Sequence, residues 1–168
     1  GIRYDYNSYF GSAVSPRIVI VNQPAKAWTF KLQFGTAFRA PTNTEIYQTP
    51  ADFDLKTEKI KTYEVNAIYS PGNNLRLQLN GFYNRLTDVI VIGNLSGLEP
   101  DKNPGIFNIA GAEAAADMVV SKNVSGFINC TFQDARGKNL VTGISGRIPG
   151  VARIKGNIGV TTHLEDVL

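Results

Sequence analysis

The chain offers little to acid–base or nucleophilic chemistry: in 168 residues it holds one histidine, His163, and one cysteine, Cys130. A serine or cysteine nucleophile would have a single imidazole to accept its proton, and nothing around His163 forms the motif such a pair requires. His163 therefore reads as an exposed residue at a strand end, and no catalytic residue is assigned. One cysteine makes neither an internal disulfide nor a cysteine-rich metal site, so Cys130 reads as a packing residue. Asp52 and Asp54 lie close enough in sequence to touch a cation, yet a calcium loop needs more oxygen ligands at fixed spacing. They read as solvated loop acids, with no metal and no cofactor implied. Lys56, Lys59 and Lys61 would attract an anionic ligand, although solvated charge is the plainer reading. The glycine-rich GISGRIPG, Gly143 to Gly150, lacks the lysine and the following helix of a phosphate loop. Asn94, Asn123 and Asn129 each begin an Asn-x-Ser/Thr sequence, a glycosylation acceptor only in a secretory host.

The elements that would carry these residues read as strands. Apolar residues make up 43% of the chain and charged ones 18%, which excludes disorder, and no apolar run reaches the length of a membrane helix. A net charge of +3 is too slight to argue for nucleic acid. The clearest pattern is Trp28 to Pro41, WTFKLQFGTAFRAP. Trp28, Phe30, Leu32 and Phe34 alternate with Thr29, Lys31, Gln33 and Gly35, the period of two that puts successive side chains on opposite faces of a sheet. One face of this strand is greasy and the other wet.

Taken in order, Ile2 to Tyr6 reads as a short strand end and Asn7 to Val14 as a connection. Ser15 to Gln23 is a second strand, Pro24 to Ala27 a tight turn, and the Trp28 strand runs to about Phe38. Ala40 to about Thr57 is a long loop. Thr62 to Tyr69 is a strand closed by the turn SPGNN, Ser70 to Asn74. The strand from Leu75 to Tyr83 has the cleanest alternation and extends toward Ile92. Gly93 to Pro104 is a second long loop. Phe107 to Val120 reads as strand, with its alanine run Ala114 to Ala116 open to a helical reading. A turn at Ser121 to Val124, a strand from Val124 to Phe132, a loop from Asp134 to Gly146 and a strand from Ala152 to Thr162 follow.

About eight strands are thus joined by connections that alternate short and long, as in up-and-down barrels with short turns at one rim and long loops at the other. The expected fold is all-β, an antiparallel up-and-down barrel or barrel segment spanning 1–168 as one unit. A soluble β-sandwich that binds a ligand would bury the greasy face against a second sheet instead. A porin-like or adhesion barrel is a further alternative. Chain opening directly in a strand implies that any targeting sequence has been removed or that the piece is excised.

Several stretches carry a family resemblance. FGTAFRAPTNTEIY, Phe34 to Tyr47, resembles the strand-to-loop signature of TonB-dependent outer-membrane receptors, with its glycine, Arg-Ala-Pro and Glu-x-Tyr. LKTEKIKTYE, Leu55 to Glu64, is similar to that family's Leu-x-x-Glu-x-x-x-x-Tyr-Glu segment. NGFYNRLTDVI, Asn80 to Ile90, resembles its Phe-Tyr and Asp-x-Ile strand, NIAGAE, Asn108 to Glu113, its Asn-x-x-Gly-x-Glu segment, and IPGVARIKGN, Ile148 to Asn157, a late proline strand. The resemblance implies a Gram-negative outer-membrane location, with lipid against the greasy face and a lumen on the side of Lys31, Gln33 and Arg39. It implies energy-coupled uptake of a scarce nutrient, such as an iron siderophore, cobalamin or an oligosaccharide, and no enzyme activity. A plug domain and its TonB contact would be partners outside this stretch, since such a receptor has about 22 strands and the chain is expected to be a fragment. Arg39, Glu45, Tyr47, Asp52 and Asp54 are the candidate ligand contacts, although for Arg39 and Glu45 bracing the strand-to-loop transition is the plainer reading. At an outer rim the lysine cluster would face lipopolysaccharide.

Overall fold

A computed structural model describes residues 1–8, 11–48, 55–91, 102–139 and 143–163. Nine strands form one antiparallel sheet: β1 (Ile2–Asn7), β2 (Gly11–Ala25), β3 (Trp28–Arg39), β4 (Glu58–Tyr69), β5 (Leu75–Val91), β6 (Lys102–Ser121), β7 (Val124–Asn139), β8 (Ser145–Arg147) and β9 (Ile154–Thr162). Each strand from β1 to β7 pairs with its sequence neighbour, and β7 then pairs with both β8 and β9. β8 faces the upper half of β7 through Arg136↔Arg147, and β9 faces the lower half through Ile128↔Ile158. They are one eighth strand interrupted around Pro149, whose ring nitrogen has no hydrogen to donate to the ladder. Ile148 and Gln133 span the break, the Ile148 N–H donating to Ala135 O at 3.0 Å and the Gln133 N–H to Arg153 O at 2.8 Å.

The period-two reading of β3 carries across the sheet in register. Outward rows run Phe34–Tyr63–Tyr83–Ala110, Leu32–Val65–Gly81–Ala112–Phe132 and Trp28–Tyr69–Leu77–Ala116–Ile128. No second sheet packs on this face among the described residues, and the substantial strand contacts are all between sheet neighbours. Leu32 and Leu79 are 54% and 58% exposed, while the polar Asn66 on the opposite face is 6% exposed. The distribution is the inverse of a water-soluble core and excludes the sandwich arrangement for these strands. The wet face is knitted by directly opposite polar pairs: Gln33 donates to Glu64 at 3.0 Å, Thr62 to Asn84 at 2.7 Å and Asn157 to Asn129 at 2.9 Å.

This face also carries an arrangement that alternation alone does not disclose. Phe82, Phe107 and Phe127 each stand directly opposite a glycine, Gly111, Gly137 and Gly159 respectively. The Phe82 ring occupies the space of a missing side chain: a Cβ on Gly111 would lie 2.5 Å from the ring and 2.5 Å from the Phe132 carbonyl oxygen. An aromatic ring over a cross-strand glycine restores packing where the small residue leaves a gap.

Several expected boundaries move. The first connection is shorter than Asn7 to Val14, because β2 begins at Gly11 and pairs there with Asn7. It lies on the same rim as the long loops, so the short–long alternation fails at that point. β2 extends to Ala25, which narrows the Pro24 to Ala27 turn. Ala114 to Ala116 are strand, since both neighbours hold them in register, Leu79↔Ala114 and Ala114↔Cys130. The loop placed at Asp134 to Gly146 is mostly ladder: β7 continues to Asn139 and β8 returns at Ser145. The Ala40 to Thr57 loop contains a short helix, α1 (Asn43–Gln48). Most of the Gly93 to Pro104 loop lies outside the described residues. His163 follows β9, is exposed, and donates its N–H to Asn123 O at 2.9 Å.

Candidate functional site

Three of the sequence segments singled out above meet at the rim where β3 ends and β4 begins. Arg39 closes β3 directly opposite Glu58, the first residue of β4. Arg39 Nε donates to Glu58 Oε2 at 2.6 Å, and its two terminal nitrogens donate to Glu45 at 3.2 and 3.0 Å. The planar guanidinium suits this double engagement, which a lysine would not reproduce. Glu58 spends its other oxygen on β5, accepting the Ile90 N–H at 2.8 Å.

Local chemistry explains why each partner is in reach. Thr42 caps α1 and Glu45 is its third residue, so the pair makes a reciprocal capping box: Thr42 N–H donates to Glu45 at 2.6 Å and Glu45 N–H to the Thr42 hydroxyl at 3.3 Å. Asp88 takes a φ of 56° within the first of two register shifts between β5 and β6, the one from Leu86 to Val89. Aspartate tolerates this left-handed geometry better than most residues, and the bulge presents the Ile90 N–H to Glu58. Burial alone would raise the Glu45 carboxyl, but Arg39 and the Thr42 N–H and hydroxyl together hold it below its ordinary value.

The structure thus brings Arg39 and Glu45 together and adds Glu58, which the candidate contacts omitted. Its signal was present: Glu58 is the acid of the Leu55-x-x-Glu58 segment, and the β3–β4 register sets it against Arg39. Tyr47 is not part of the cluster; it projects from α1, 88% exposed. Asp52 and Asp54 lie outside the described residues. No group of three or more metal-ligating side chains occurs among the described residues.

The inverted sheet, the uneven rims and the clustered motifs converge on one comparison. A family model described as TonB dependent receptor-like, beta-barrel matches residues 1–166. The chain belongs to the TonB-dependent receptors. This receptor segment is 34% identical over 103 residues to the iron-regulated outer membrane virulence protein of Vibrio cholerae serotype O1 El Tor, covering 54% of the chain and 15% of that protein. Its fold matches the FrpB iron transporter of Neisseria meningitidis, F3-3 variant, with a TM-score of 0.65 at 19% identity, over 77% of this chain and 21% of that one. The copper transporter OprC matches with a TM-score of 0.70 at 20% identity, over 92% of this chain and 25% of that one. The receptor segment therefore spans about a sixth to a quarter of the length of these relatives, none of which is named as an enzyme. Its location is the Gram-negative outer membrane. The exposed apolar face is the lipid face, the polar face lines the lumen, and the rim holding Arg39 is the long-loop, extracellular rim.

Proposed function

We propose that residues 1–168 form one wall segment, with its extracellular loops, of a receptor that takes up a scarce iron complex across the outer membrane, driven through a lumenal plug and TonB. The observation that carries this reading is the family match over residues 1–166 on a sheet whose faces are polarised for lipid and lumen. Iron is favoured over cobalamin or an oligosaccharide by the names of the Vibrio and Neisseria relatives.

The lumen face suits a polar partner inside the barrel: Gln33 with Glu64 and Thr62 with Asn84 stand on it in hydrogen-bonded pairs, a hydrophilic lining for a plug. At the extracellular rim, the Arg39–Glu45–Glu58 cluster fixes the base of the loop and leaves Tyr47 projecting as the side chain placed to touch a ligand, with Asp52 and Asp54 following it in sequence.

Radiolabelled ferric-complex uptake by cells carrying the full-length receptor tests the proposal. Uptake is expected to stop when TonB is deleted while surface binding of the complex persists. Uptake unchanged without TonB would contradict it and favour a porin-like barrel. Binding of cobalamin or an oligosaccharide with no iron complex would overturn the ligand assignment alone.

A further inference from the structure

The end of β5 is held differently by its two neighbours. Toward β4 the ladder stops at Lys59↔Thr87, although β5 runs on to Val91. Toward β6 it continues, with Val89 opposite Gly105 and Val91 opposite Lys102 on either side of the second register shift. Gly105 permits that close approach: a Cβ there would lie 2.9 Å from the Val89 Cβ and 3.1 Å from its carbonyl oxygen. Val89 and Ile90 are each 8% exposed, so a backbone N–H turned away from the ladder in this stretch needs a partner. For Ile90 that partner is the Glu58 carboxylate, in place of a strand carbonyl.

A side chain holds a strand end only while it is itself held. Glu58 is fixed from β3, where Arg39 Nε takes its second oxygen at 2.6 Å. The Glu58 side chain is 15% exposed, which leaves water little access to compete for either bond. Both of its side-chain atoms must accept, which a carboxylate does and an amide cannot. The guanidinium meanwhile stands between Glu58 and Glu45 and pairs with both. Without it, two like charges would face the space it occupied.

We propose that Arg39 is a positioning residue for the β5 bulge two strands away: through Glu58 it holds the Ile90 N–H, and so fixes where β5 leaves the wall. The α1 loop and the end of β5, the roots of two successive extracellular connections, are then set by one cation. The inference takes from the family only the placement of this rim outside the membrane, and it is independent of what the receptor transports.

Amide exchange in the full-length receptor in bilayers, read residue by residue, tests this. Arg39→Ala is expected to speed exchange at Ile90 by about fivefold and to leave Asn80, lower on the same strand, at its wild-type rate. Glu58→Gln is expected to speed Ile90 to a similar extent, since its amide has one acceptor for two donors. The double variant is expected to exchange at Ile90 no faster than either single one, because the amide oxygen is then free to serve Ile90 alone. Should Arg39→Ala fail to fold, Arg39→Lys, which keeps the charge but cannot fork between two carboxylates, is expected to show a smaller acceleration confined to Ile90. Wild-type exchange at Ile90 in the folded Arg39 variants, equal acceleration at Asn80, or additive effects of the two substitutions would each overturn the proposal.

Discussion

Arg39 and Glu45 are held by two N–H···O bonds of 3.0 and 3.2 Å, the arginine a lumen-facing residue that closes β3 and the glutamate a residue of the first turn of a loop helix. The same guanidinium reaches Glu58 across the strand pair. A single side chain therefore ties the loop helix to the wall and, through Glu58 and Ile90, to the bulge of β5.

Removing that tie is expected to release the loop while leaving the sheet intact. Arg39→Ala should cost about 1 kcal/mol of local stability, the upper end of what exposed ion pairs contribute, because the arginine side chain is 46% exposed. Limited proteolysis of the full-length receptor in outer membranes checks this. Cleavage within 40–57 is expected to accelerate several-fold, with no change elsewhere in β3 or β4.

Acid should act on the same tie. The Glu45 carboxyl is held below its ordinary value of 4.5, so its contribution is fully present above that value and is lost as pH falls through the lower folded-state value. Amide exchange at Ile46, corrected for intrinsic rates, is expected to stay constant from neutral pH to about pH 5 and to quicken below about 4.5. In Glu45→Gln it is expected to be fast throughout and insensitive to acid.

Gly111 is expected to be intolerant of a side chain. A methyl group there meets the Phe82 ring and the Phe132 carbonyl at once, and only the ring has somewhere to go. Gly111→Ala should destabilise the β5–β7 region by about 1–3 kcal/mol, the usual cost of overpacking, read as a lower urea midpoint in folding into lipid vesicles. The double variant Gly111→Ala/Phe82→Leu should recover part of the loss.

Much of this architecture was legible because barrel strands obey one rule, alternation, and Trp28 to Phe34 obeys it without exception. The family motifs gain physical meaning from the fold: Arg39, Glu45, Glu58 and Asp88 come from three separate segments yet meet at one rim, and Gly111 is the glycine of the Asn108 to Glu113 motif. What was hidden is what register decides. Asp134, Arg136 and Lys138 alternate with the small Ala135 and Gly137, but the outward face carries charge rather than apolar bulk because it lies beyond the apolar band, so a continuing strand looked like a loop. Ala114 to Ala116 lost the contrast between faces because all three residues are small. The helix at Asn43 was announced by Thr42 and Glu45 as a capping box, a signal overshadowed by the surrounding prolines and threonines.

Charge on the lipid face should be far more costly than charge on the lumen face. Leu79 sits in the outward apolar band, 58% exposed, and its neighbour Gln78 points the other way. Leu79→Arg is expected to lower folding stability in bilayers by about 2–4 kcal/mol, and Gln78→Arg by less than about 0.5 kcal/mol. Equal losses would mean that the faces do not differ in medium.

The central claim, that the greasy face of β3 meets lipid, is tested most directly by nitroxide labels placed one at a time from Thr29 to Phe38 in a cysteine-free full-length receptor in bilayers. Collision rates with molecular oxygen are expected to oscillate with a period of two, high at Phe30, Leu32 and Phe34 and low at Lys31, Gln33 and Gly35. An oscillation of opposite phase, or none, would contradict the account.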